Sequence, residues 1–526
     1  MSRVEGYFDT LVFQPRIETT VLDGLWDDDG EGWLICGDFW GIQKFIFEGL
    51  SSKNAAKVLR AKSAFVELFT EYIARYVCHT VGIGEEHIIS QNAGKFEILS
   101  PKKADIERIQ ERLDRYFIDN FYGMSGMSVC MVKTSSKAVG SEDEYRSLRD
   151  DVSEAVEASK FIKFSLPKRD PLMEEYDTDI DNQSLCRVCN IRKIAHAKEE
   201  SCSICERFTM LGKLLAIDSV QEEVSEKEAG IESSYFDDFT AALALDERIK
   251  SYIQYEYDKS ANQRIPASFE TLAQASCGGD KKQGVKTLAV LKADADHMGR
   301  FIRESDVTAG FENFEDFSKG MDAFFSLHIA ALMREKYPDT YTVFGGGDDL
   351  FIVGAWDEVL ALAREVHESF GIYVKGQLSL SMGIALAKPS TPISYLAEHT
   401  EHLLEESKRI DDKKDALSMF GETVKWKDYI ACHDLLLPAL ESQHQVTELR
   451  TAWLYRVLEL ADMGKKVKYE GSITDTIWRS KLNYTIRRNV ERATDGFVSA
   501  LNTAIERYPK ETKLVLTEFI YKRRKM

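Results

Sequence analysis

Residues Tyr341 to Gly354 read Y-T-V-F-G-G-G-D-D-L-F-I-V-G. Two apolar runs flank Gly345-Gly346-Gly347-Asp348-Asp349, the pattern of a hairpin whose tight turn carries adjacent carboxylates. Neighbouring carboxylates repel and raise each other's pKa, so the turn calls for a positive partner, and a divalent cation is the compact one. Gly and Asp are also the ordinary residues of solvated turns, so the hairpin alone does not choose between the two readings.

A second acidic strand upstream does choose. Thr287 to Asp296, T-L-A-V-L-K-A-D-A-D, is an apolar run of strand length ending in Asp294 and Asp296, with a helix-like segment from Met298. A carboxylate at a strand end and a pair on a neighbouring hairpin can converge on one or two Mg²⁺ or Mn²⁺ ions. Such a site activates a hydroxyl and neutralises the leaving group in phosphoryl or nucleotidyl transfer. The order strand-acid, helix, Gly-Gly-Asp-Asp hairpin resembles the palm of nucleotide cyclases and polymerases. On this reading Asp294, Asp348 and Asp349 are catalytic metal ligands, and Asp296 joins them if the strand stays regular. Gly346 and Gly347 lie against the nucleotide, and Lys408 and Lys414, with Lys413, are the cations for a triphosphate. The competing reading of those lysines is helix-end dipole complementation.

The palm pattern occurs twice. Leu34 to Ile46 (L-I-C-G-D-F-W-G-I-Q-K-F-I) aligns without a gap on Val290 to Ile302, placing Asp38 on Asp294. Ile88 to Leu99 aligns on the hairpin, and Asp38 precedes Gly94 by 56 residues where Asp294 precedes Gly347 by 53. Apolar-periodic helices follow each first strand, Ser63 to Tyr76 and Met321 to Met333. The chain is therefore an internal duplication. Lys95 and Phe96 replace the paired acids in the first copy, which lacks the carboxylates for a metal pair and is either a nucleotide-binding partner through Asp38 or pure scaffold.

Cys186-x-x-Cys189 and Cys202-x-x-Cys205 have the spacing of a closed tetrahedral zinc site, structural rather than catalytic. The other five of the nine cysteines are scattered and read as small apolar residues. A net charge of −19 excludes a protein that coats nucleic acid over its whole surface, yet residues 445–526 carry 17 Lys/Arg against 10 Asp/Glu. That basic end suits an RNA or partner face, or a solvated helical surface. No apolar run approaches a membrane span and the N-terminus lacks a signal core, so the expected address is cytoplasmic, with no membrane partner.

The expected fold class is α+β: two tandem ferredoxin-like palm domains, a zinc-knuckle domain between them and a helical C-terminal domain. The segments are an arm over 1–33, a degenerate first palm over 34–140, a zinc-binding and helical linker over 141–285, the second palm over 286–425, and helices over 426–526. Within the linker, Phe208 to about Gln254 reads as mostly helical, and Gly278 to Lys282 as an exposed loop. Gln377 to Ala387 reads as a strand, Tyr395 to Arg409 as a helix and Asp415 to Phe420 as a short strand.

Gly37-Asp38-x-x-Gly41-Ile42-Gln43-x-Phe45-Ile46, Ala55-Ala56-Lys57-x-Leu59-Arg60-Ala61-Lys62-Ser63, the four cysteines, Asp294-Ala295-Asp296 and Phe344 to Asp349 occur in the order of one family. Over residues 34 to 500 the chain resembles the large subunit of type III CRISPR effector complexes, nearer the III-A (Csm) than the III-B (Cmr) form. The resemblance implies synthesis of cyclic oligoadenylates from ATP, switched on when guide crRNA pairs with target RNA beside the other effector subunits. Rival readings are a catalytically silent ATP-binding assembly subunit and a diguanylate-cyclase-like enzyme, the latter expected to use a single palm. Family members commonly begin with a histidine-aspartate (HD) nuclease domain; only 33 residues precede the first palm and none is histidine, so DNA cleavage is not expected.

Overall fold

The computed structural model describes residues 22–47, 50, 55–92, 94–161, 185–194, 200–215, 223–245, 249, 255–258, 263–276 and 284–524. The Gly278 to Lys282 loop and most of the 1–33 arm lie outside these residues. The chain packs as two compact units. The first is Met1–Ser268 with His297–Leu350 and Pro392–Ser394; the second is Phe269–Asp296 with Phe351–Thr391 and Tyr395–Met526.

In the first unit, β1 (Glu31–Trp40), α1 (Ile42–Phe47), α2 (Ala55–Val81), β2 (Ile88–Asn92), β3 (Lys95–Ser100), α3 (Ile106–Phe121) and β4 (Gly126–Ser135) build a four-stranded sheet of order β2-β3-β1-β4. Numbered within the repeat this is 4-1-3-2, a ferredoxin-like palm. Gly94, at φ 85°, turns β2 into β3. Asp105 caps α3 by accepting from the Arg108 N–H, and Tyr122 closes it in the left-handed region. Phe39 of β1 meets Phe69 and Phe117, and Phe45 meets Phe65 and Phe121, so one face of the sheet is sealed by an aromatic layer from α2 and α3.

After the short α4 (Ser136–Gly140), α5 (Glu142–Phe161) covers the other face. Its Tyr145, Leu148 and Val152 bury against Leu34, Cys36 and Leu99. The cysteine knuckles then lead into α6 (Ser203–Leu214), whose Phe208 joins the aromatic layer against Phe45, Phe65 and Phe121. The helix expected from Phe208 to Gln254 stops at Leu214. Beyond it, β5 (Glu223–Ser225) pairs with β6 (Ala242–Ala244) around turns that place Gly230, Asp237 and Asp238 at positive φ. Phe236 and Phe239 there cap Tyr72 and Tyr76 of α2, so tertiary aromatic packing has overridden a polar, helix-tolerant sequence. A small hairpin, β7 (Tyr255–Asp258) and β8 (Gln263–Pro266), and α7 (Phe269–Ala275) precede the second palm.

The second palm repeats the plan: β9 (Leu288–Ala295), α8 (Met298–Glu304), α9 (Phe311–Ala323), α10 (Ile329–Lys336), β10 (Thr340–Gly346), β11 (Asp349–Ala355), α11 (Trp356–Tyr373) and β12 (Leu380–Ala387). Its sheet order β10-β11-β9-β12 is again 4-1-3-2, extended at the β12 edge by β13 (Ala416–Met419) and β14 (Glu422–Lys425). The expected strands over 377–387 and 415–420 are thus β12 and β13. The helix expected over 395–409 is α12 (Ile393–Lys408). It lies so close to β12 that a Cβ on Gly383 would stand 2.5 Å from the Leu404 nitrogen. Five helices complete the second unit: α13 (Trp426–Val446), α14 (Thr451–Glu470), α15 (Trp478–Asn489), α16 (Asp495–Arg507) and α17 (Pro509–Arg523). Buried Glu422 of β14, held by Lys465 and Lys513, anchors them to the sheet edge. None of the helices is long and apolar enough to cross a membrane among the described residues.

Candidate active site

The hairpin forms as its residues dictate. β10 ends at Gly346, Gly347 and Asp348 make the turn, and Asp349 opens β11. Gly347 has φ 64°, which the first turn position of a tight hairpin needs and an ordinary side chain resists. Gly345 passes the carbonyl of Phe325, in a π-helical turn between α9 and α10, so closely that a Cβ would stand 2.9 Å from it.

Within the first unit these residues line a cavity of about 690 Å³. The first palm contributes Gly37, Asp38, Gln43, Asn92 and Lys95, α5 contributes Arg146, Arg149 and Lys160, and Gly345 to Asp349 supply the acidic edge. Gln43 donates from Nε2 to Asp349 Oδ2 at 3.5 Å. Asp38 is buried and pairs with Lys160 at 2.8 Å. Arg149 forks both Nη1 contacts onto Glu97, at 2.8 and 2.9 Å. Gln43 stands in the Gly41-Ile42-Gln43 motif but had no role in the sequence reading; its signal was there. Lys160 and Arg149 carried none, because their partners are far away in sequence.

In the second unit, Asp294 on β9 is met by Lys408, the last residue of α12, at 2.8 Å. The expected triphosphate lysine thus already balances an expected catalytic acid, and a metal ion on this oxygen would compete with it. Asp296 belongs to the same unit. It is buried just beyond β9, and its Oδ2 accepts from Ser379 (2.7 Å), Ser381 (2.9 Å) and the Asp415 N–H (3.0 Å). Three donors saturate that oxygen, which ties loops together, while Oδ1 is buried without a hydrogen-bond partner. Lys414 sits in a left-handed turn at φ 52°, its carbonyl accepting from Lys425.

Asp294, Asp348 and Asp349 have the hard oxygen donors that Mg²⁺ or Mn²⁺ prefers. Among the described residues, however, the four cysteines alone bring three or more potential ligands within mutual reach: their ligand atoms lie within 4.8 Å of one another, all buried. A tetrahedral zinc with bonds of about 2.3 Å sets sulfurs roughly 3.8 Å apart, and Cys189 and Cys202 are at 4.0 Å. Hydrogen bonds within the cluster hold the Cys189 thiol far below a free cysteine and push Cys202 and Cys205 far above it, so the four sulfurs act as one tightly coupled set. The cluster fits a zinc knuckle.

Two family descriptions match the chain: Csm1 subunit domain B over residues 32–178, and the Cas10/Cmr2 second palm domain over residues 287–418. The relatives agree. A CRISPR system single-strand-specific deoxyribonuclease Cas10/Csm1 (subtype III-A) of Thermococcus onnurineus (strain NA1) is 26% identical over 436 residues, 73% of this chain and 53% of that protein. Its namesake in Mycobacterium tuberculosis (strain ATCC 25618 / H37Rv) is 24% identical over 93% of this chain and 66% of its own length. This chain belongs to the Cas10/Csm1 family of type III-A large subunits. It spans about half to two thirds of those Cas10/Csm1 relatives. Solved structures share the fold: an apo Csm1-Csm4 cassette (TM-score 0.68, 19% identity, 95% of this chain and 71% of that one) and cassettes in complex with cA4 (TM-score 0.66, 19%, 94% and 70%) or one ATP (TM-score 0.66, 20%, 94% and 70%).

Proposed function

We propose that this Cas10/Csm1-family chain joins ATP into cyclic oligoadenylates inside a type III-A effector complex, with guide and target RNA controlling the reaction. The observation that carries the reading is the 690 Å³ cavity with the Gly345 to Asp349 hairpin on one side and the first palm on the other. Joining two nucleotides requires one substrate's hydroxyl to be presented to the other's α-phosphate, and a cavity with contributions from both repeats suits that task. Similar structures named as complexes with ATP and cA4 support the choice of nucleotide.

In this proposal Asp294, Asp348 and Asp349 hold Mg²⁺ or Mn²⁺, which would activate the attacking hydroxyl and neutralise the leaving group. Asp296 joins them through its unpartnered Oδ1, its Oδ2 being occupied. Gly346, Gly347, Asp38, Lys408 and Lys414 remain the proposed nucleotide contacts, and zinc at the four cysteines is structural. The single-strand cutting named for the relatives is not transferred to this site. The complex, incubated with labelled ATP or GTP and Mg²⁺ or Mn²⁺ with and without target RNA, is expected to convert ATP only, and faster with target. Binding of ATP without conversion would establish the silent assembly subunit, and turnover of GTP the diguanylate-type enzyme.

A further inference from the structure

Cys36 of β1 and Cys130 of β4 are register partners on adjacent antiparallel strands. Residues opposed in this way have Cα atoms about 4.5 or 5.5 Å apart and project to the same face. Both spacings fall inside the roughly 4.4–6.8 Å window that a disulfide spans. The two thiols are free and hydrogen-bond each other. They lie under α5 in the layer formed by Leu34, Leu99 and Val152, and neither belongs to the zinc knuckle or to the proposed acids.

Their environments differ. Cys36 is buried, and its thiol is pushed well above the ordinary value by its hydrogen bond with Cys130, by burial and by Glu97, its register partner on β3. Cys130 is half-buried, and the Cys36 hydrogen bond holds its thiol below the ordinary value against burial, Glu97 and Asp38. Arg149, paired with Glu97, is the cation of the cluster. Cys130 is therefore the sulfur with a route to solvent, and the buried Cys36 thiol waits beside it.

We propose that Cys36 and Cys130 form a redox-active dithiol that hydrogen peroxide closes into a cross-strand disulfide. The Cys130 thiolate attacks one peroxide oxygen, the O–O bond breaks, and the departing hydroxide takes a proton to leave as water, giving a sulfenic acid. The Cys36 sulfur then attacks the Cys130 sulfur; the S–S bond forms, the S–O bond breaks, and the second hydroxide leaves as water with the Cys36 proton. Two thiols lose two electrons and two hydrogens, and one peroxide becomes two waters. The bond would fasten β1 to β4 two residues before the Asp38–Ser128 pair, at the rim of the cavity.

The test uses the full zinc-loaded chain, treated with hydrogen peroxide, quenched with N-ethylmaleimide in denaturant, digested and mass-mapped. The expected product is a Cys36–Cys130 linked peptide, two hydrogens lighter than the thiols and reopened by a phosphine. Cys78 and Cys432, whose thiols burial pushes up to about 12, serve as internal references. Cys130 should be lost at least tenfold faster than either. In Cys36→Ser, Cys130 should proceed to sulfinic acid instead of cross-linking. Recovery of both residues as maleimide adducts from oxidised wild-type protein, or sulfinic acid at Cys130 with Cys36 still free, would overturn the proposal without reliance on any variant.

Discussion

The two palms share a strand order and differ in their chemistry. Each sheet runs 4-1-3-2, each has a glycine at positive φ in its hairpin, and each ends its first strand with an acid met by a lysine from a helix terminus: Asp38 with Lys160, Asp294 with Lys408. The hairpins diverge, with Lys95-Phe96 in one and Asp348-Asp349 in the other. Phe96 packs under Gly37 so closely that a Cβ there would stand 2.1 Å from its ring, so the first hairpin has been turned over to the core. The ferredoxin-like plan therefore needs neither hairpin acid, and in each copy the strand-end carboxylate is balanced by a lysine. The proposed chemistry separates the two copies at the hairpin.

The strongest way to break this comparison is to make the second hairpin resemble the first. Asp348→Ala with Asp349→Ala should lower oligoadenylate synthesis by on the order of a thousandfold or more, since metal activation and leaving-group neutralisation are each worth several kcal/mol. The melting temperature should hold, because the turn depends on its glycines. Unchanged synthesis from labelled ATP would remove the distinction between the copies.

Next comes the knuckle, which leans on the first palm through Phe208. Cys202→Ser should eliminate bound zinc, measured by elemental analysis, and lower the melting temperature by ~5 °C or more through the aromatic layer of α2 and α3. Hydrogen exchange should rise in α2 before it rises in β9 or β12; uniform exchange would show that the metal supports both palms equally.

The lysine pairs predict a smaller contrast. Lys160→Met strands Asp38, whose side chain is 8% exposed, and should cost about 1–3 kcal/mol in urea unfolding. Lys408→Met frees Asp294, 22% exposed, and should cost under about 1 kcal/mol while raising the ATP concentration needed for half-maximal synthesis. Equal stability losses would mean that the two pairs do the same work.

The smallest effect concerns Glu315 of α9, buried beside Glu97 and Arg149, whose carboxyl burial pushes up to about 7. A raised folded-state value means the native protein binds this proton more tightly than the unfolded chain. Its contribution is thus complete below about pH 4.5 and is lost as pH rises through 7. Glu315→Gln should flatten the fall in melting temperature between pH 5 and 7.5; a slope unchanged from wild type would assign that fall to other groups.

Much of this was legible in the residues. The duplication, the hairpin and the cysteine cluster are local patterns with fixed spacing, and each strand of the second palm carries its own apolar run. Three things were not legible. Phe236 and Phe239 sit in a polar stretch whose strands exist only because α2 offers tyrosines to cover. The fate of Asp296 depends on Ser379, Ser381 and Asp415, 83 to 119 residues away. The reach of Gln43 to Asp349 spans 306 residues, and no periodicity records such a contact.

Gly383 acts as a spacer of zero thickness. The helix that carries Lys408 rests on its bare backbone at Leu404, one turn before that lysine, and any side chain at 383 would act as a shim that lifts the helix from the sheet. The gap between Lys408 and Asp294 is therefore gauged by an atom that is missing from a strand carrying neither charge. A single methyl there would retune the electrostatics of the second palm while leaving every charged residue in place.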